Sequence, residues 1–166
     1  FGFTHPSVGF YRPHNNPIME YFMYHGRSRS NKYMIGKRDV KGLIQALNEG
    51  EVCFYLPDQD YGRNRAEFVP FFAVQETATT TGTLLFANAA NCVVIPIYSS
   101  RLPNNQGYQI EALPGWYDFP TGDNKADVTR VNQWVEAAIL KHPEQYMWLH
   151  RRFKTRPDEN SPSLYR

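Results

Sequence analysis

The stretch Glu51-Val-Cys-Phe-Tyr-Leu-Pro-Asp-Gln-Asp-Tyr-Gly-Arg63 decides how the chain is read. Residues 52–56 are apolar and rich in β-branched and aromatic side chains, the pattern of a buried strand. Pro57 stops the run, Asp58 and Asp60 follow at once, and Gly62 releases the chain into a turn. Ligands of open α/β sheets sit outside the carboxyl ends of strands, so the two acids stand where a site is expected. From this stretch alone, a polar strand exit is an equal reading.

Upstream, Asp39 caps a predicted helix with Val40, Leu43, Ile44 and Leu47 on one face and Gly50 at its end. Before it, residues 8–11 read as a short strand. Asn15 or Asn16 then caps a helix that opens with Pro17, repeats Ile18, Tyr21, Phe22 and His25, and ends at Gly26. Downstream, a long loop is expected over 57–76, with the apolar residues 68–73 inside it as a pocket lining or a core plug. A helix over 77–91 and a strand over 93–98 then complete a βαβ unit. Residues 106–113 alternate as an antiparallel neighbour, joined through 103–107. Asp123 caps a helix whose apolar face is Val128, Val131, Trp134, Val135, Ala138 and Ile139, and a short helix over 143–149 follows. The fold class is α/β, a mixed sheet flanked by helices. Residues 1–157 form part of a single domain and 158–166 a polar, frayed tail.

The 166 residues carry a net charge of only +2, but the charge is unevenly spread. Arg27, Arg29, Lys32, Lys37, Arg38 and Lys41 stand against one acid, Asp39, and Arg151, Arg152, Lys154 and Arg156 have none among them. Together these segments hold +9, leaving −7 for the rest, an asymmetry that favours anionic partners. Arg27-Ser-Arg29 sets two guanidinium forks in one short span, suited to phosphate or carboxylate, or else forms a solvated loop. The two cysteines, Cys53 and Cys92, read as reduced thiols in or beside apolar runs. The longest apolar run, 92–98, is far short of the ~20 residues of a membrane span. Phe1 is not a start methionine, so the chain reads as a fragment. The five histidines lack metal spacing, and no nucleophile elbow, phosphate loop or dinucleotide turn is present, so neither metal nor cofactor is expected. The basic loop, Tyr61-Gly-Arg-Asn-Arg65, Trp148 and Phe153 allow a non-catalytic nucleic-acid binder; a pI near 8.5 and the lack of any RNA-binding signature argue against it.

Four stretches carry a resemblance: Tyr11-Arg-Pro-His-Asn-Asn-Pro17 with Gly26-Arg-Ser-Arg-Ser-Asn-Lys32; Pro57-Asp-Gln-Asp-Tyr-Gly62; Ala78-Thr-Thr-Thr-Gly82; and Glu144-Gln-Tyr-Met-Trp-Leu-His-Arg-Arg-Phe-Lys-Thr-Arg-Pro157. In order and spacing the chain resembles the late acyltransferases of lipid A biosynthesis, the HtrB type, within the glycerolphosphate acyltransferases. The resemblance implies a glycerolphosphate-acyltransferase-like fold, incomplete at the N-terminus. It also implies transfer of a fatty acyl group, laurate, from acyl carrier protein to a hydroxyl of a Kdo2-lipid IVA-type lipid A precursor. Another phospholipid or glycolipid acceptor is the alternative. The expected location is the cytoplasmic face of the Gram-negative inner membrane, reached through an N-terminal hydrophobic helix that this chain lacks. No cofactor and no nucleic acid are expected.

One departure concerns catalysis. The family pairs a general-base His with an Asp or Glu five positions on, whereas the residues five after each His here are Phe10, Met19, Ser30, Met147 and Thr155. The base is therefore expected upstream of Phe1, and the chain alone is expected to be inactive. The resemblance places Arg27 and Asp58 in one active site: Arg27 on an anionic group, Asp58 either orienting the missing His or holding its loop. Arg29, Lys32, Asp60 and Tyr61 follow as substrate-binding candidates by proximity. Arg151 and Arg152 are expected to join the first basic segment in one surface for lipid A phosphates, Kdo carboxylates or carrier protein.

Overall fold

A computed structural model describes residues 5–165; Phe1, on which the fragment reading rests, lies outside them. The chain forms two compact units, residues 1–55 with 89–92 and residues 56–88 with 93–166.

Unit 1 contains β1 (Ser7–Tyr11), α1 (Pro17–Ser28), β2 (Asn31–Gly36) and α2 (Val40–Asn48). β1 and β2 run parallel, and Val8 also bridges Cys53 in parallel, so the order across the layer is β2, β1, Cys53. The Asn16 side chain accepts hydrogen bonds from the N–H groups of Ile18 at 2.9 Å and Met19 at 3.2 Å, and Pro17 needs no partner at the first helical position. The helix runs through Gly26 to Ser28, since one glycine costs a helix only about 1 kcal/mol. Asp39 caps α2 by accepting from the N–H of Gly42 at 2.9 Å, and Gly50, at φ +85°, turns the chain away. Among the described residues, Val8, Ile35, Leu43, Ala46 and Ala90 are the buried apolar residues of this unit.

The buried strand expected over 52–56 is not there. Only Cys53 pairs, through a single bridge, while Val52, Phe54 and Leu56 are 52%, 38% and 64% exposed. Exposure alternates along the segment, so an apolar run reports the burial a sequence is built for, not the cover these residues receive.

Unit 2 contains β3 (Ala66–Phe71), β4 (Val74–Thr80), α3 (Gly82–Ala89, whose last residue falls to unit 1), β5 (Ile97–Arg101), β6 (Tyr108–Ala112) and α4 (Asn124–Lys141). Short 3-10 turns occupy Pro103–Asn105 and Pro143–Gln145. β3 pairs antiparallel with β4, and β5 with β6 as expected. The core joins Val69 and Phe71 of β3 to Val128, Val131, Val135 and Ile139 of α4, with Leu84 and Phe119. The expected apolar face of α4 is therefore the one that is buried, but Asp127 and Asn132 are buried with it. Asp127 accepts from the Thr121 N–H at 2.8 Å and its hydroxyl at 3.0 Å, which satisfies the carboxylate inside.

Several boundaries move. The loop read over 57–76 contains the β3–β4 hairpin: Val69 and Phe71 point into the core, and Pro70, which cannot donate to a ladder, faces out where the register shifts. The helix expected from Thr77 begins at Gly82, because β-branched Thr77, Thr79 and Thr80 extend β4. The strand expected over 93–98 is displaced to Ile97–Arg101; Val94 makes one bridge, to Trp116. The helix expected over 143–149 stops at Gln145. The βαβ unit is β1-α1-β2, not the one read around α3. The mixed sheet is in fact one parallel and two antiparallel two-stranded sheets, so the class is mixed α/β.

Neither cysteine is in a disulfide. Burial pushes the Cys53 thiol up to about 11, against a hydrogen bond from the Phe10 backbone that pulls it down. Only the thiolate is the nucleophile. Iodoacetamide should therefore alkylate Cys53 at pH 8 about a hundredfold more slowly than an unperturbed thiol, accelerating as the pH approaches 11. Mass spectrometry of timed digests checks this, and alkylation at the free-cysteine rate would contradict the burial.

Candidate functional site

The loop after residue 56 and the segment after α4 are tied together residue by residue. Asp60 is 4% exposed. One carboxylate oxygen accepts from the Gly62 N–H at 2.8 Å and the Thr155 hydroxyl at 2.9 Å; the other accepts from the Thr155 N–H at 2.9 Å. Its own N–H donates to His150 Nε2 at 2.8 Å, which places the ring proton on Nδ1, and its carbonyl accepts from Lys154 Nζ at 3.2 Å. The Asp60 carboxylate is thus fully engaged in hydrogen bonds that hold the turn.

Asp58, two residues earlier, is different. Its backbone carbonyl accepts from the Tyr146 hydroxyl at 3.2 Å, but its half-buried carboxylate makes no hydrogen bond among the described residues. It still acts at a distance: burial first, then the charge of Asp58, pushes the Tyr146 hydroxyl up to about 12. Tyr61 is exposed, its hydroxyl donating to the Leu56 carbonyl at 3.1 Å. Arg63 donates to the Pro157 carbonyl and pairs with Glu159 at 3.3 Å, while the Tyr165 hydroxyl accepts from the Phe153 N–H at 2.8 Å. The tail read as frayed is folded back on the unit.

Arg151 and Arg152, expected side by side on one basic surface, part company. Arg151 is exposed, its guanidinium 5.8 Å from the Tyr165 ring centre. Arg152 is 2% exposed. It donates to the Ala78 carbonyl at 2.6 Å and the Thr79 hydroxyl at 2.7 Å and lies 4.8 Å from the Phe71 ring centre. Burial lowers its pKa, opposed by Tyr146, Asp60 and Asp58. The charge of Arg152 is therefore interior and unavailable to a surface ligand.

In unit 1, Arg27, Arg29 and Lys32 gather where α1 ends and β2 begins. Arg27 is exposed with its guanidinium 5.8 Å from the Tyr11 ring centre; the Tyr11 hydroxyl donates to Glu20 at 3.0 Å. Arg29 is exposed at the C-cap of α1. Lys32 pairs with Glu51 at 2.6 Å, and that hydrogen bond raises its pKa. Sequence reasoning missed Tyr146, His150 and Thr155, although all three lie inside the quoted 144–157 stretch. Asn132, which joins Thr79 at 3.0 Å to the Pro70 carbonyl at 2.8 Å, sits on a helix face read as apolar and left no pattern to find. Among the described residues no cluster of three or more His, Cys, Asp or Glu is placed to hold a metal ion, and no helix is long and apolar enough to cross a membrane.

Comparison with known proteins gives a consistent result. The family model described as bacterial lipid A biosynthesis acyltransferase matches residues 1–155. A lipid A biosynthesis lauroyltransferase of Escherichia coli (strain K12) is 47% identical over 165 residues, covering 99% of this chain and 54% of that protein. A lipid A biosynthesis acyltransferase of Haemophilus influenzae (strain ATCC 51907 / DSM 11121 / KW20 / Rd) is 48% identical over 166 residues and 53% of its length. A palmitoleoyltransferase of the same E. coli strain is 43% identical, with 53% covered. The chain spans about half the length of these curated relatives.

The division between the two carboxylates is open to test. Asp60→Asn turns an NH2 group toward N–H and O–H donors and should lower the unfolding free energy by about 1–3 kcal/mol, the usual cost of unmade buried hydrogen bonds. Asp58→Asn should cost less than half as much. Urea titrations followed by tryptophan fluorescence measure both, and equal losses would refute the division.

Proposed function

Since this chain belongs to the bacterial lipid A biosynthesis acyltransferase family, we propose that the protein transfers a fatty acyl group from acyl carrier protein to a hydroxyl of a Kdo2-lipid IVA-type lipid A precursor. The family match over residues 1–155 carries this reading. Laurate is the proposed acyl group, after the relative at 47% identity; palmitoleate, named for a relative at 43%, is the other outcome of a donor series.

The chemistry sets what the residues must supply. A sugar hydroxyl is a poor nucleophile at neutral pH, so a general base takes its proton as the oxygen attacks the thioester carbonyl. The C–O bond forms, the C–S bond breaks, and the departing carrier thiolate receives the proton. The thioester is already activated, so no cofactor enters the step. In this reading Arg27, with Arg29 and Lys32 beside it, holds an anionic group of acceptor or donor, and Arg151 offers a further exposed cation. In the same reading Asp58 orients a catalytic His supplied by the remaining part of a family-length protein, and its unbonded carboxylate is compatible with that role. Asp60 holds the turn on which Asp58 and Tyr61 stand. The reaction belongs at the cytoplasmic face of the inner membrane, where precursor and carrier meet.

The test is acyl transfer from lauroyl carrier protein to the lipid A precursor, with the family-length protein beside the 166-residue chain. Positioned bases contribute ~10²–10⁴-fold, so the chain alone should turn over at least a hundredfold more slowly. In the family-length protein, Arg27→Ala and Asp58→Asn should each lower kcat/KM at least tenfold. Turnover by the chain within tenfold of the family-length protein would overturn the placement of the base. No lauroyl, palmitoleoyl or other acyl transfer by the family-length protein would overturn the function.

A further inference from the structure

Unit 1 is a parallel α/β layer whose two faces are finished differently. Val8 aligns with both Tyr33 and Cys53, and Phe10 with Ile35, so strand alternation puts these side chains on one face. Gly9, Tyr11, Met34, Val52 and Phe54 belong to the other. The first face is closed at its centre, where Val8 is 0% and Ile35 8% exposed and Leu43 and Ala46 of α2 are buried too, and it opens only at Tyr33, which is 42% exposed. Because β2 and Cys53 flank β1 on opposite sides, right-handed crossovers put α1 and α2 on opposite faces. α1 accordingly meets the second face through Tyr11, whose hydroxyl bonds Glu20 at 3.0 Å and whose ring lies 6.1 Å from that of Tyr24.

That second face is only partly covered. Val52 and Phe54 are 52% and 38% exposed, and α1 has no buried residue. Its stripe of Ile18, Tyr21 and Phe22 is 66%, 59% and 65% exposed, on the side away from Glu20. Parallel layers are covered on both faces, because strands feeding crossover helices are apolar on both. An amphipathic helix normally turns its apolar stripe inward. α1 turns its stripe outward.

We propose that this surface, the Ile18–Tyr21–Phe22 stripe with Val52 and Phe54, is the seat of a further helix from the remaining half of a family-length chain. Two observations favour that occupant. The relatives are about twice the length of this chain, so family-length proteins have the residues to supply it. From Asn15 to Tyr24 the single charged residue is Glu20, already bound to Tyr11 and to the His14 N–H at 2.6 Å. A surface made for anionic lipid would carry cations along the stripe.

Cysteine labelling reads the packing and not turnover, so its outcome is separate from that of the acyltransferase reading. Ile18→Cys, Phe22→Cys and Val52→Cys are introduced singly into a Cys53→Ala, Cys92→Ala background. Each is placed in the 166-residue chain and in a chimera where this chain replaces the matching part of the E. coli lauroyltransferase. Maleimide labelling in detergent should be at least tenfold slower in the chimera at all three positions. Tyr117→Cys, at an 86% exposed site of unit 2, should label equally in both. Equal rates at the three positions would overturn the proposal. So would protection that appears only with phosphatidylglycerol vesicles, which marks lipid as the occupant, or protection that falls on dilution, which marks a second copy.

Discussion

Arg152 carries a positive charge into the interior of unit 2, and the arrangement of that unit depends on the fold making the charge tolerable. An isolated buried guanidinium costs several kcal/mol, so it is kept only where donors find acceptors and carboxylates lie near. Here Ala78 and Thr79 accept its hydrogen bonds, Phe71 presents a ring face, and Asp60 and Asp58 oppose the loss of its charge. Each compensation fixes an element. Ala78 and Thr79 are β4, Phe71 is β3, and the acids are the loop that precedes β3. Thr79 is in turn held by Asn132 of α4. One side chain from the last irregular segment therefore bonds or touches both strands of the hairpin and is linked to α4 through Thr79. Among the described residues Arg152 Nε has no hydrogen-bond partner, a cost that the other contacts of the guanidinium offset.

The same economy explains why two acids two residues apart have separate fates. Asp60 receives three donors, two of them from Thr155, and so closes the chain from residue 60 to residue 155. With its neighbour committed, Asp58 stands on a turn that cannot easily relax, its carboxylate without a hydrogen bond among the described residues. The bonds made by Asp60 fix the turn, and the Asp58 carboxylate is carried on it with its charge uncompensated by any ion pair among the described residues.

What could be read from sequence follows the range of the interactions involved. Asn16 with Pro17, Asp39, Asp123 and Gly50 act within one helical turn, so three helix starts and one stop were legible as residue types. So was the β5–β6 pairing, whose register is set by a short connection. The hairpin at 66–80 reads as loop and helix in the sequence because its support is distant: Phe71 packs on α4, and Arg152 reaches it from 74 residues away. Asp58 and Asp60 were singled out together by position, yet only long-range partners tell them apart. Arg151 and Arg152 show the same limit, since adjacent, identical side chains differ only in what lies above them.

The charge pattern changes meaning once burial is known. Of the ten cations that made the sequence look asymmetric, Arg152 is spent inside and Lys32 is paired with Glu51. Arg27, Arg29, Lys37, Arg38 and Lys41 remain exposed in unit 1, none in an ion pair among the described residues. An exposed ion pair adds only about 0–1 kcal/mol to stability, so leaving these cations unpaired costs the fold little. It does matter to an anion, because a cation already matched to a carboxylate must lose that partner before it can bind another. Exposed charges are screened within ~8–10 Å at physiological ionic strength, so local density counts for more than the net +2. Five unpaired cations within fifteen residues, two of them at the end of α1, give unit 1 a local field suited to a multiply charged ligand.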